Sequence, residues 1–170
     1  MSRNAIALCC VAAGAVLMAA CNSIPTDPLA PIGGEDPGKI GAATVVTGDN
    51  GCTPGYWKNH LESWPITSLS PDQPVDTVFG ELWLYPEVGS ATLLEALSFS
   101  GGSDLLGAVR LLVRAGVAAV LNALHPDVPH MLPSEVLNIV NTALDSQDRD
   151  TILAAAALLG DRNDSVCPLD

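Results

Sequence analysis

Positive charge is the first thing this sequence lacks: seven Lys and Arg stand against nineteen Asp and Glu, for a net charge of -12 over 170 residues. A surface of that sign repels phosphate backbones, which argues against nucleic acid as a partner. Aromatic residues are scarce as well, at 4% of the chain, so the places where they fall carry information. Charged residues make up only 15% against 48% hydrophobic, the composition of a folded, Ala- and Leu-rich protein rather than a disordered one. The length admits one ordinary domain plus an address segment and excludes a large multidomain enzyme. Signatures of chemistry are missing too. There is no G-x-S-x-G elbow, no H-E-x-x-H pair and no glycine loop built to cradle phosphate. His60, His125 and His130 lack the paired spacing of a zinc site, and Asp145-x-x-Asp148-x-Asp150 lacks the glycine and closing Glu of a calcium loop. Those aspartates read as helix caps, and no catalytic residue, metal or cofactor is expected.

What is present begins with an address. Residues 1–4 carry one positive charge and residues 5–20 (AIALCCVAAGAVLMAA) carry none, the pattern of a secretory signal peptide. As a permanent span it is short: roughly sixteen residues at about 1.5 Å each cover about 24 Å of a core near 30 Å. The run closes on Leu17-Met18-Ala19-Ala20-Cys21, which resembles a bacterial lipobox, where a cysteine thiol receives diacylglycerol before the peptide ahead of it is cut. Met18 also argues against ordinary signal peptidase, which needs a small residue there. Cys21 is therefore expected to become the lipidated first residue. Asn22 after it, by resemblance to lipoproteins of Gram-negative bacteria, implies transport to the outer membrane. Cys9 and Cys10 leave with the signal and Cys21 takes lipid. The remaining pair, Cys52 and Cys167, is expected to close a disulfide in an oxidising compartment.

From residue 21 to residue 50 the chain is rich in Pro, Gly and Asp and reads as a tether of about 30 Å r.m.s. reach, with 42–47 a short β-prone stretch inside it. Residues 51–170 read as an all-α domain, a bundle of about five helices. Thr53-Pro54 starts the first, over 54–63, placing Trp57, His60, Leu61 and Trp64 on one side and Lys58, Asn59 and Glu62 elsewhere. The stretch 75–85 (VDTVFGELWLY) is expected to be loop with a short strand or turn. A second helix runs from Ser90 as cap to Phe99, stopped by Gly101-Gly102. The third, 104–124, is apolar nearly all round apart from Arg110 and Arg114. Two arginines cost roughly 2.5 to 3.5 kcal/mol each in a bilayer centre, so it reads as the buried centre of the bundle, with each arginine paired to an acid. A fourth spans 133–146 and a fifth runs from Asp148 or Asp150 to about Asn163. Asn122, Asn138 and Asn141, on otherwise apolar helices, are expected to bond loop carbonyls.

The segment Gly51-Cys52-Thr53-Pro54-Gly55-Tyr56-Trp57-Lys58-Asn59-His60, followed by Trp64-Pro65, resembles the C-T-P-G-Y-W-K-N-H...W-P signature of a group of secreted or surface-anchored bacterial proteins. The resemblance continues through Thr77-Val78-Phe79-Gly80, Leu121-Asn122-Ala123-Leu124-His125-Pro126 and Asn163...Cys167-Pro168-Leu169, and departs at Gly160-Asp161-Arg162. It covers about residues 51–169 and implies membership, while implying nearly nothing about activity.

Tyr56, Trp57, His60 and Trp64, with Trp83 and Tyr85, hold most of the aromatic content. Exposed, Tyr56, Trp57 and Trp64 flanked by Lys58, Asn59 and Glu62 would form a platform for stacking sugar rings, the glycan or cell-wall reading. Buried, the two tryptophans would staple the first helix to the bundle, the commoner fate of large aromatics at helical spacing. A weaker alternative is a hydrolase with His60 in its site, although Lys58, His60 and Glu62 at i and i+2 face apart. The expectation is thus a non-enzymatic envelope lipoprotein, a binding or structural module contacting the membrane through Cys21 and an envelope protein or glycan through its domain.

Overall fold

Helix starts and stops follow local chemistry in the computed structural model, which describes residues 50–169. The expected signal peptide, Cys21 and the tether up to residue 49 lie outside the described residues. Among those described, six α-helices form: α1 (Pro54–Asn59), α2 (Pro86–Gly89), α3 (Leu93–Ala96), α4 (Leu105–Leu124), α5 (Pro133–Ser146) and α6 (Arg149–Asn163). Four 3-10 segments, Leu61–Ser63, Pro65–Thr67, Val75–Thr77 and Gly80–Leu84, fill the stretch between α1 and α2. The expected all-α bundle is thus found, closed by a Cys52–Cys167 disulfide. The only β pairing among the described residues is one antiparallel bridge, Pro74 to Thr92.

The three long helices begin and end close to where the sequence places them. Asp104 Oδ1 accepts from Gly107 N at 2.8 Å to cap α4. Pro133 opens α5, with Glu135 accepting from Leu132 N at 3.0 Å. Asp148 caps α6, accepting from both N and Oγ1 of Thr151, and those bonds hold its carboxyl below the usual range. α4 is long and apolar enough to cross a membrane, yet most of it is buried because α1, α3, α5 and α6 pack around it. Small residues allow that density. A methyl group on Gly107 would run into the backbone of Gly102, and one on Gly116 would crowd Val140 and the Phe79 ring.

The short elements depart from expectation for identifiable reasons. α1 stops at Asn59 because the Trp57 carbonyl, which a longer helix would offer to Leu61, accepts the Trp64 Nε1–H instead at 2.9 Å. Leu61 therefore leaves the buried side and is 46% exposed. The second expected helix is shortened to α3, because the capping residue is Thr92, locked with Glu95 in a reciprocal capping box, rather than Ser90. Residues 75–85 form no strand. Val75, Phe79, Leu82 and Tyr85 are buried at a spacing of three to four, so this stretch coils against α5.

Arg110 and Arg114 were expected to pair with acids. No such pair forms among the described residues, because the two side chains occupy the solvent-facing stripe of α4, half-buried and exposed respectively. Asn138 is exposed and bonds no loop carbonyl, and Asn141 accepts from the Glu81 amide at 3.4 Å rather than donating to a carbonyl.

Candidate functional site

The aromatic segment folds inward around one side chain. Asn122, on α4 and 0% exposed, uses its whole amide: Oδ1 accepts from Cys52 N–H at 3.0 Å and from Trp57 Nε1–H at 2.9 Å. Its Nδ2 donates to the Cys52 carbonyl at 3.0 Å and to Asn163 Oδ1 at 3.0 Å. Asn163 in turn donates to the Ala115 carbonyl at 2.8 Å. Two donors and two acceptors are thereby satisfied in a dry site, which makes the network stabilising rather than costly.

Of the two readings of Tyr56, Trp57 and Trp64, the geometry matches the buried one, with the tryptophans stapling α1 to the bundle, and not the exposed sugar platform. Trp57 is 0% and Trp64 1% exposed, their rings meet edge to face at 6.4 Å, and both indole N–H groups are spent inside the protein. Tyr56, at 8%, directs its hydroxyl to Ser63 Oγ at 3.0 Å. No ring face is left for a ligand, because burying three large aromatics is worth more than displaying them. Lys58 and Asn59 are exposed, and Asn59 folds back to donate to the Gly55 carbonyl at 2.9 Å. His60 stacks on Tyr56 at 4.1 Å and directs Nδ1 to the Tyr56 carbonyl at 2.9 Å, with no carboxylate or hydroxyl nucleophile bonded to it. Among the described residues no cluster of three or more His, Cys, Asp or Glu could hold a metal ion. Cys21 lies outside the described residues.

His130 is a buried titratable group of another kind. Its Nδ1 meets the Asn50 carbonyl at 3.0 Å while Nε2 is enclosed without a partner. Burial lowers its pKa below 6.5, the Asn50 bond opposes that, and the nearby Arg162 charge adds to the lowering. The unfolded chain therefore binds this proton at a higher pH than the fold does. Stability is expected to fall as pH drops through the ordinary histidine range and to level off below the depressed folded value. Thermal melts of wild type and His130→Gln across pH 8 to 5 check this, and an equal slope in both would remove His130 as the cause.

An open concavity lies elsewhere among the described residues, in a groove of about 640 Å³ where α4, α6 and the start of α1 meet. That volume falls within the range of ligand and peptide sites. Gly55, Ala115, Ala156, Ala157 and Gly160 leave the space, and Leu111 and Leu153 supply the larger apolar surface. On α6 the lining residues Leu153, Ala156, Ala157, Gly160 and Asp161 repeat at three and four, a single face that Asp164, the C-cap, continues. Arg114, Asp161 and Asp164 bring the charge, and all three are exposed. Nothing in the sequence marks the groove, because small residues that line an open surface and small residues that permit close helix packing look alike.

One aromatic does remain outside: Trp83 is 70% exposed. Comparisons of this chain with family models, with curated proteins and with solved structures find no match.

Proposed function

We propose that this chain is a non-enzymatic cell-envelope lipoprotein, anchored through Cys21, whose helical domain is a binding module for an apolar segment of another envelope protein. Membership of the secreted group suggested by residues 51–60 is part of this reading. The observation that carries it is the α4–α6 groove, with apolar walls, small side chains along its length, and an exposed guanidinium at Arg114 that forms no ion pair among the described residues. An amphipathic segment fits such a surface: its apolar face fills the groove, while charges beside that face meet Arg114, Asp161 and Asp164.

Photo-crosslinking in the native host tests this, with a photoreactive residue at Leu153 or Ala157 in the groove and at exposed Ser98 as a control. The two groove positions are expected to yield the same discrete adduct, weakened by Arg114→Glu, and Ser98 none. Equal labelling at Ser98 would remove the groove from consideration. In the same cells, Cys21→Ala should shift the protein from the membrane to the soluble fraction, and retention would refute the anchor.

A further inference from the structure

Trp83 is held out by the chain on either side of it. Its neighbours in sequence are pinned: Leu82 is fully buried, Leu84 is partly buried against the core, and Tyr85 donates its hydroxyl to the Leu144 carbonyl at 3.2 Å. The 3-10 segment Gly80–Leu84 therefore cannot turn the indole inward without dismantling that anchorage. The ring is also oriented, because Nε1 donates to Glu81 Oε2 at 3.1 Å. The Glu81 amide in turn donates to Asn141 Oδ1 on α5 at 3.4 Å, which brings that side chain to the same patch. The second carboxylate oxygen of Glu81 and the amide nitrogen of Asn141 engage no other described residue.

We propose that Trp83, Glu81 and Asn141 form a binding site for a neutral pyranose ring of an envelope or extracellular glycan. A fixed aromatic face takes the C–H face of the sugar, a carboxylate accepts from its hydroxyls, and an amide donates to a sugar oxygen. The carboxylate beside the ring decides against anionic sugars and anionic lipid headgroups, which it repels. It also decides against a protein hot spot, where an anchoring tryptophan sits inside a dry apolar surround rather than beside a charge. This site is separate from the α4–α6 groove and does not rest on it.

The protein supplies its own probe, since Trp57 and Trp64 are buried and Trp83 alone among its three tryptophans meets solvent. Quenching of the full-length chain by acrylamide, a neutral molecule that the Glu81 carboxylate does not repel, therefore reads Trp83. The N-acetylglucosamine tetramer or cellotetraose is expected to protect it saturably, and trigalacturonate to protect it at least tenfold less well. Calorimetric titration with the same tetramers should show affinity reduced at least tenfold in Trp83→Ala, with Glu81→Gln narrowing the gap between neutral and anionic sugars. The folded melting temperature of Trp83→Ala should stay within a few degrees of wild type, because little burial is lost. Absence of saturable protection by both neutral tetramers would overturn the proposal. So would protection by phosphatidylethanolamine and phosphatidylglycerol vesicles in their place.

Discussion

Replacing Asn122 by Leu is expected to lower stability by about 4 kcal/mol, near the upper end for a single substitution. The two side chains share one branched skeleton and Leu is the bulkier, so the loss does not come from a cavity. It comes from four polar groups left dry: the N–H and C=O of Cys52, the indole N–H of Trp57 and Oδ1 of Asn163. Each unsatisfied buried group costs about 1 to 3 kcal/mol, and partial relaxation keeps the total below their sum. For a domain of this size the expected fall in melting temperature is about 15 °C. Calorimetry on the oxidised protein measures it. A loss under about 1 kcal/mol would mean that water enters and replaces the amide, and the view of Asn122 as the organising side chain would be abandoned.

Reducing the Cys52–Cys167 bond is the second large effect. The cysteines are 115 positions apart, and closing so long a loop restrains the unfolded chain by about 5 kcal/mol in the chain-entropy picture. The folded state loses less, because Cys52 is 0% exposed and both its backbone groups are held by Asn122. The C-terminal turn, which is tied back by the Gly51 N–H on the Val166 carbonyl at 3.3 Å and by the Tyr56 hydroxyl on the Leu169 carbonyl at 3.5 Å, is the part expected to loosen. We expect Cys167→Ala, or wild type in dithiothreitol, to melt about 15 °C lower with its helices otherwise intact. An unchanged melting temperature on reduction would show that the ends are confined by packing alone.

Much of the fold was legible because its long helices announce themselves. Asp104, Pro133 and Asp148 mark starts that the structure reproduces to within a residue, and the apolar run through α4 predicts its central place. What could not be read was decided by tertiary bonds. The period-four face from Trp57 through Leu61 to Trp64 assumes a continuous helix, and a single indole N–H on the Trp57 carbonyl ends it. Residues 75–85 carry a spacing of three to four at Val75, Phe79, Leu82 and Tyr85, a signal that was present and outweighed by Gly80 and the flanking prolines. Trp83 and Trp64 have the same composition signal and opposite fates, since neighbouring contacts, rather than residue type, decide which indole is enclosed. Asn122 reads in sequence as one more polar residue on an apolar helix, and only the fold brings Cys52, Trp57 and Asn163 to it.

The covalent closure also governs how the domain carries mechanical load. A pull applied between residue 51 and residue 168 finds Cys52 and Cys167 with their Cα atoms 4.6 Å apart, so tension crosses the two sulfurs and bypasses the helices between them. While the bond is intact the domain behaves under such a pull as an inextensible bead. With the bond reduced, the same force would peel the helices apart and release about 390 Å of chain at roughly 3.4 Å per residue. A thiol reagent thereby converts a rigid link into a long spring.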